Sequence, residues 1–104
     1  PAKSVTFCTS VDKNLAGVGI NTTFPVSKVT LKMQAASVFK VSTIKMTIYK
    51  IDGTNESIYN TVDITVGPTW DNIVYPVDFN EAGKYRVDFT NGADVIASGI
   101  VTIQ

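Results

Sequence analysis

Cys8 is the only cysteine in the chain, and there is no histidine. A thiol or hydroxyl nucleophile needs a base or a cation to take its proton or hold its anion, and histidine usually does this. Cys8 therefore reads as a small packed hydrophobe, and a Ser–His–Asp arrangement is excluded. Two stretches match S-x-x-K, Ser37-Val38-Phe39-Lys40 and Ser42-Thr43-Ile44-Lys45. Neither lies in a helical pattern that would bring hydroxyl and amine together, and no partner motif follows. Glu56 and Glu81 fall in predicted loops, and Asp63 and Asp88 fall on polar strand faces. They read as solvated charges rather than the acid–base pair of a glycosidase. Oxygen-rich loops occur at Asp78, Asn80 and Glu81 and at Asp52, Asn55 and Glu56. Neither has EF-hand spacing, and Asx residues in turns commonly bond their own backbone. The expectation is a protein that is not an enzyme and carries no metal or cofactor.

Aromatic side chains are the chemistry that remains. Trp70, Tyr49, Tyr59 and Tyr75 fall where strand alternation does not clearly bury them. Exposed rings stack on sugars or anchor protein interfaces, so these four are the candidate ligand-binding residues. Phe7, Tyr85 and Phe89 are expected in the core instead. Asn21-Thr22-Thr23 and Asn55-Glu56-Ser57 match the glycosylation acceptor triplet.

The elements that must carry these residues are strands. Val, Ile and Thr make up 37 of the 104 residues, against two Leu and two Glu. Branching at Cβ disfavours helix and suits a half-buried pleated surface. Nine Lys and Arg balance nine Asp and Glu. Such neutrality argues against nucleic-acid partners, which are held largely through phosphate charge. Without an apolar run of ~18 residues, no helix inserts into a membrane. The length is that of one domain, spanning 1–104.

Alternation is clearest over Ser27–Gln34, Thr43–Ile51, Ser57–Val66, Asn72–Phe79, Gly83–Thr90 and Val95–Ile103, with a first strand near Ser4–Thr9 and a short edge strand over residues 20–24. Val5 and Phe7 are expected on one face of the first strand and Cys8 on the other. Ile58, Val62, Ile64 and Val66 are expected to share a face. Asp52-Gly53-Thr54-Asn55 and Asn91-Gly92 are turn signals, Pro76 marks an edge or a bulge, and Gly99 marks a bulge or a close approach. This gives seven to eight antiparallel strands, an all-β sandwich or barrel.

Glu81-Ala82-Gly83-Lys84-Tyr85-Arg86-Val87 resembles the approach to strand F of immunoglobulin-like domains. There a tyrosine hydroxyl bonds the backbone a few residues upstream, forming a corner. The resemblance implies that role for Tyr85, with Gly83 at the corner. Val87 stands where antibody domains carry their second cysteine, and Val29 or Leu31 where they carry the first. The chain thus resembles the disulfide-free fibronectin type III-like and bacterial surface modules, an antiparallel Ig-like β-sandwich. The function expected is a non-catalytic structural or protein-interaction module of a secreted or cell-envelope protein, with edge-strand association open to it. The alternatives are a carbohydrate-binding module using Trp70 with the tyrosines, and a protease inhibitor presenting Val66–Trp70.

Overall fold

A computed structural model describes residues 3–14 and 16–104. Pro1, Ala2 and Leu15, part of the single domain expected over 1–104, lie outside the described residues. Seven strands have five or more residues: β1 (Ser4–Cys8), β5 (Lys28–Gln34), β6 (Thr43–Asp52), β7 (Asn55–Thr65), β8 (Asn72–Asp78), β9 (Gly83–Asn91) and β10 (Asp94–Ile103). Three further strands have two residues each: β2 (Ser10–Val11), β3 (Gly17–Val18) and β4 (Thr23–Phe24). The described residues thus form ten strands rather than seven or eight. The excess is these short bridges, whose two-residue span carries no readable alternation.

The strands form a three-stranded sheet, β1-β5-β8, a five-stranded sheet, β4-β10-β9-β6-β7, and the small β2-β3 pair. All pairings are antiparallel except β4 with β10, which is parallel. The chain is all-β, and the two larger sheets turn apolar faces to one core, as a β-sandwich would. From the smaller sheet come Phe7, Val29, Leu31, Met33, Ile73 and Val77. From the larger come Ile44, Met46, Ile48, Tyr85, Val87, Phe89 and Val101, all fully buried. β8 is an edge strand, and Pro76 on it is exposed.

Both long hairpins turn on glycine. Asp52 pairs with Asn55 and Asn91 with Asp94. The first central residues, Gly53 and Gly92, have φ of 63° and 61°. This positive φ at the first position is what a type II′ hairpin requires. Gly99 serves close approach: a Cβ there would lie 2.9 Å from Val5 Cβ and 3.1 Å from Phe7 Cε2. The bulge in β10 falls not at Gly99 but at Ile96, the residue skipped between the pairs of Val95 and Ala97.

A second bulge corrects the reading of β7. Ile48 pairs with Asn60 and Tyr49 with Ile58, leaving Tyr59 as the extra residue. One extra residue reverses the face of everything before it. Val62, Ile64 and Val66 face the core as expected, but Ile58 is turned out and is 66% exposed.

Candidate functional site

The four candidate rings do not share one surface. Tyr59, brought inward by its bulge, packs against the core. Its ring stacks on Phe79 at 6.1 Å and meets Tyr85 edge-on at 4.9 Å, and its hydroxyl accepts from the Asn80 N–H at 3.1 Å. Tyr75 sits opposite Leu31 on the core-facing side of β8 and is half-buried there. Sequence alternation missed both placements, since the bulge and the sheet margin leave no mark of their own in residue type. Tyr49 lies on the outer face of β6 beside Ile58. Ile58 and Ile64, which borders Trp70, are six residues apart on β7, roughly 20 Å along a strand.

Around Tyr49 the outer face of the larger sheet holds an ordered row. Ile58 on β7 pairs with Tyr49 on β6, Tyr49 with Arg86 on β9, and Arg86 with Ile100 on β10. The guanidinium carbon of Arg86 stands 4.5 Å from the Tyr49 ring centroid, a cation–π stack. Arg86 also donates to Glu56 Oε2 at 2.5 Å and pairs with Asp88 Oδ1 at 3.3 Å. Asp88 in turn accepts from the Ser98 hydroxyl at 2.6 Å. Ile58 and Ile100 remain exposed at the two ends of the row.

Trp70 stands elsewhere, 53% exposed, at the end of a turn closed by its N–H donating to Gly67 O at 2.9 Å. Pro68 takes the second position of that turn, where its fixed φ is suited. The indole lies so close to Gly67 that a Cβ there would meet Trp70 Nε1 at 2.5 Å. The N–H groups of Phe39 and Lys40 donate to Trp70 O and Pro68 O, tying this turn to the preceding loop. The stretch Val66–Trp70 is therefore a pinned turn. Beside it opens a groove of about 530 Å³ between β7 and β8, lined by Ile64, Val66, Trp70, Asp71, Asn72 and Ile73 among others. A hydrogen bond from Asn72 Nδ2, 2.9 Å to Asp71 Oδ1, joined by Gln34, holds the Asp71 carboxyl below the usual carboxylate range.

Tyr85 opens the core side of β9, and its hydroxyl donates to Glu81 O at 2.6 Å, four residues upstream. Gly83 precedes it with Lys50 Cε directly above, 3.0 Å from where a Cβ would be. Lys50 and Glu81 form an ion pair that holds the ammonium above its ordinary value. Glu81, in the loop before β9, and Glu56, which lies on β7 rather than in the loop expected for it, are thus each engaged by a cation. In the S-x-x-K stretches, the Ser42 carbonyl accepts from Val66 N–H, and Lys45 lies opposite Asp63 and Thr90. Asn21 of one glycosylation triplet turns its Oδ1 to the Thr22 N–H at 2.8 Å.

Cys8 is fully buried but outside the main core cluster. Its thiol donates to Thr30 O at 3.3 Å, and a Cβ at Gly17 would stand 3.5 Å from the sulfur. The segment carrying β2 and β3 therefore covers the outer face of β1 at that point. No helix of the described residues is long and apolar enough to cross a membrane.

No known family model matches the chain, and no curated protein matches it in sequence.

Proposed function

We propose that the chain is a disulfide-free immunoglobulin-like module, acting without catalysis as a protein-interaction domain of a secreted or cell-envelope protein. The strand order supports the fold part of this reading. β1, β5 and β8 correspond to strands A, B and E, and β6, β9 and β10 to C, F and G, with β7 as C′. Tyr85 then falls on strand F with its hydroxyl bonded upstream, as a tyrosine corner requires. Val87 and both candidates for the first cysteine position, Val29 and Leu31, are fully buried, so packing would stand where the disulfide is absent.

The interaction part rests on the row Ile58–Tyr49–Arg86–Ile100. Tyrosine and arginine are enriched at interface hot spots, and here they are stacked and held rigid, with exposed isoleucines on both flanks. The test is photo-crosslinking from positions 58 and 100 in the native producing cells, with adducts identified by mass spectrometry. One partner captured from both positions, and lost in the Arg86→Glu chain, is the expected result. Capture that Arg86→Glu leaves intact would refute the role of this row.

A sugar-binding reading is favoured by one observation, the exposed Trp70 beside Asp71 and Asn72 in an open groove. A ring for stacking and a carboxylate–amide pair for hydroxyl groups are what such a site needs. A glycan array and a Trp70 fluorescence titration test it. A response abolished by Trp70→Ala supports that reading, and silence against all glycans excludes it.

A further inference from the structure

β7 has the longest free edge among the described strands. It is eleven residues long and pairs with β6 alone. Sheets guard such edges with Lys, Pro, bulges or short length. The other margins are guarded: β8 carries Pro76, β1 has five residues and β4 has two. Residues 55–65 contain no Pro, Lys or Arg. The Tyr59 bulge disturbs only the first half, and from Asn60 to Thr65 the ladder to β6 is regular. Val62 and Ile64 are half-exposed there because no strand lies beyond them, and the Trp70 groove opens at the same margin.

The edge is also chemically ready. The Val66 N–H is turned toward β6, donating to Ser42 O at 2.9 Å. Backbone groups alternate sides along a strand, so those of Asp63 and Thr65 point out of the sheet margin.

We propose that a second copy of this chain adds its own β7 antiparallel to this edge, about a twofold axis through Ile64. That register sets Ile64 against Ile64 and Val62 against Val66 on the core side, and Asp63 against Thr65 on the outer side. The half-exposed Ile64 side chains meet each other, each Val62 comes to lie beside the already buried Val66 just past the end of β7, and each carboxylate meets a hydroxyl. An axis at Asp63 would oppose two carboxylates directly, and one at Val62 would set Ile64 against Asn60; both are poorer pairings. The contact is isologous and so closes as a dimer. The chain's zero net charge leaves no long-range repulsion between copies. The partner strand would run along the groove and cover Trp70.

Sedimentation equilibrium across micromolar to millimolar concentration tests this on the wild type, Thr65→Lys and Thr65→Asp. Thr65 is exposed, so both variants should melt like the wild type. The expected result is a wild-type dimer whose Trp70 emission shifts to the blue as it forms. Thr65→Lys, facing Asp63 across the axis, should tighten it roughly three- to tenfold, and Thr65→Asp should weaken it by a similar factor. A monomer at every concentration overturns the proposal, as does a dimer that both variants leave unchanged. A monomer whose Trp70 emission responds to an unrelated Val/Thr-alternating peptide would assign the edge to a foreign strand and overturn it as well.

Discussion

Tyr85 is fully buried, and its hydroxyl keeps one carbonyl partner, Glu81 O. Burial, reinforced by the neighbouring Tyr59, pushes the phenol above its ordinary value of 10.0, with Lys50 opposing. A group held protonated by the fold contributes stability that is complete below its unfolded value and is lost as pH rises through its folded one. Tyr85→Phe should therefore cost about 1 kcal/mol at neutral pH, the worth of one hydrogen bond. It should also flatten the fall in stability above pH ~10. Urea melts at neutral and alkaline pH read both effects, and an unchanged alkaline slope would assign that loss to another group. Cys8 provides a second residue-scale check. Being enclosed, it should resist a thiol reagent in the folded protein and react fully in denaturant. The sequence showed Cys8 to be on the face opposite Phe7, but not that the β2–β3 segment covers it.

At the scale of the element, the β7 bulge decides which side chains are core and which are surface. Ile58→Ser should change stability by no more than about 0.5 kcal/mol, because the side chain is in water. Tyr59→Ala should cost about 2–4 kcal/mol, because it removes one ring of a three-ring cluster. Thermal or urea unfolding of the two variants checks the pair, and the reverse ranking would mean an unbulged strand. Alternation located β5, β6 and β9 closely, since each keeps one phase from end to end. It failed on β7 because a single inserted residue shifts the phase without changing composition. The candidate site suffered from the same cause. The phase that holds only beyond the bulge sets Tyr59 among the exposed rings and puts Ile58, which stands at one end of the Tyr49–Arg86 row, on one face with Val62, Ile64 and Val66.

At the scale of the whole molecule, the two larger sheets meet most closely where β1 crosses β10. Gly99→Val would drive its Cβ against Val5 and Phe7, and should cost about 1–3 kcal/mol through overpacking. A melting temperature equal to the wild type would show that β1 can move away freely. Val87→Asp, at the centre of the core opposite Gly99, should cost several kcal/mol by burying an unpaired charge, with loss of cooperative unfolding as the readout.

Residue type and period by themselves determined an all-β chain, most strand positions and both glycine hairpins, and left the Pro76 strand as an edge or a bulge. They did so because these are local consequences of Cβ branching, period-two burial and backbone freedom. Only the tertiary structure decided which strands share a sheet, where the bulges fall, and which rings stay in water. Those outcomes depend on register between distant segments, and register is chosen by the packing of both partners together. The stacking of Arg86 on Tyr49 and the bare edge of β7 are of this kind: each needs two or more strands in position before it exists.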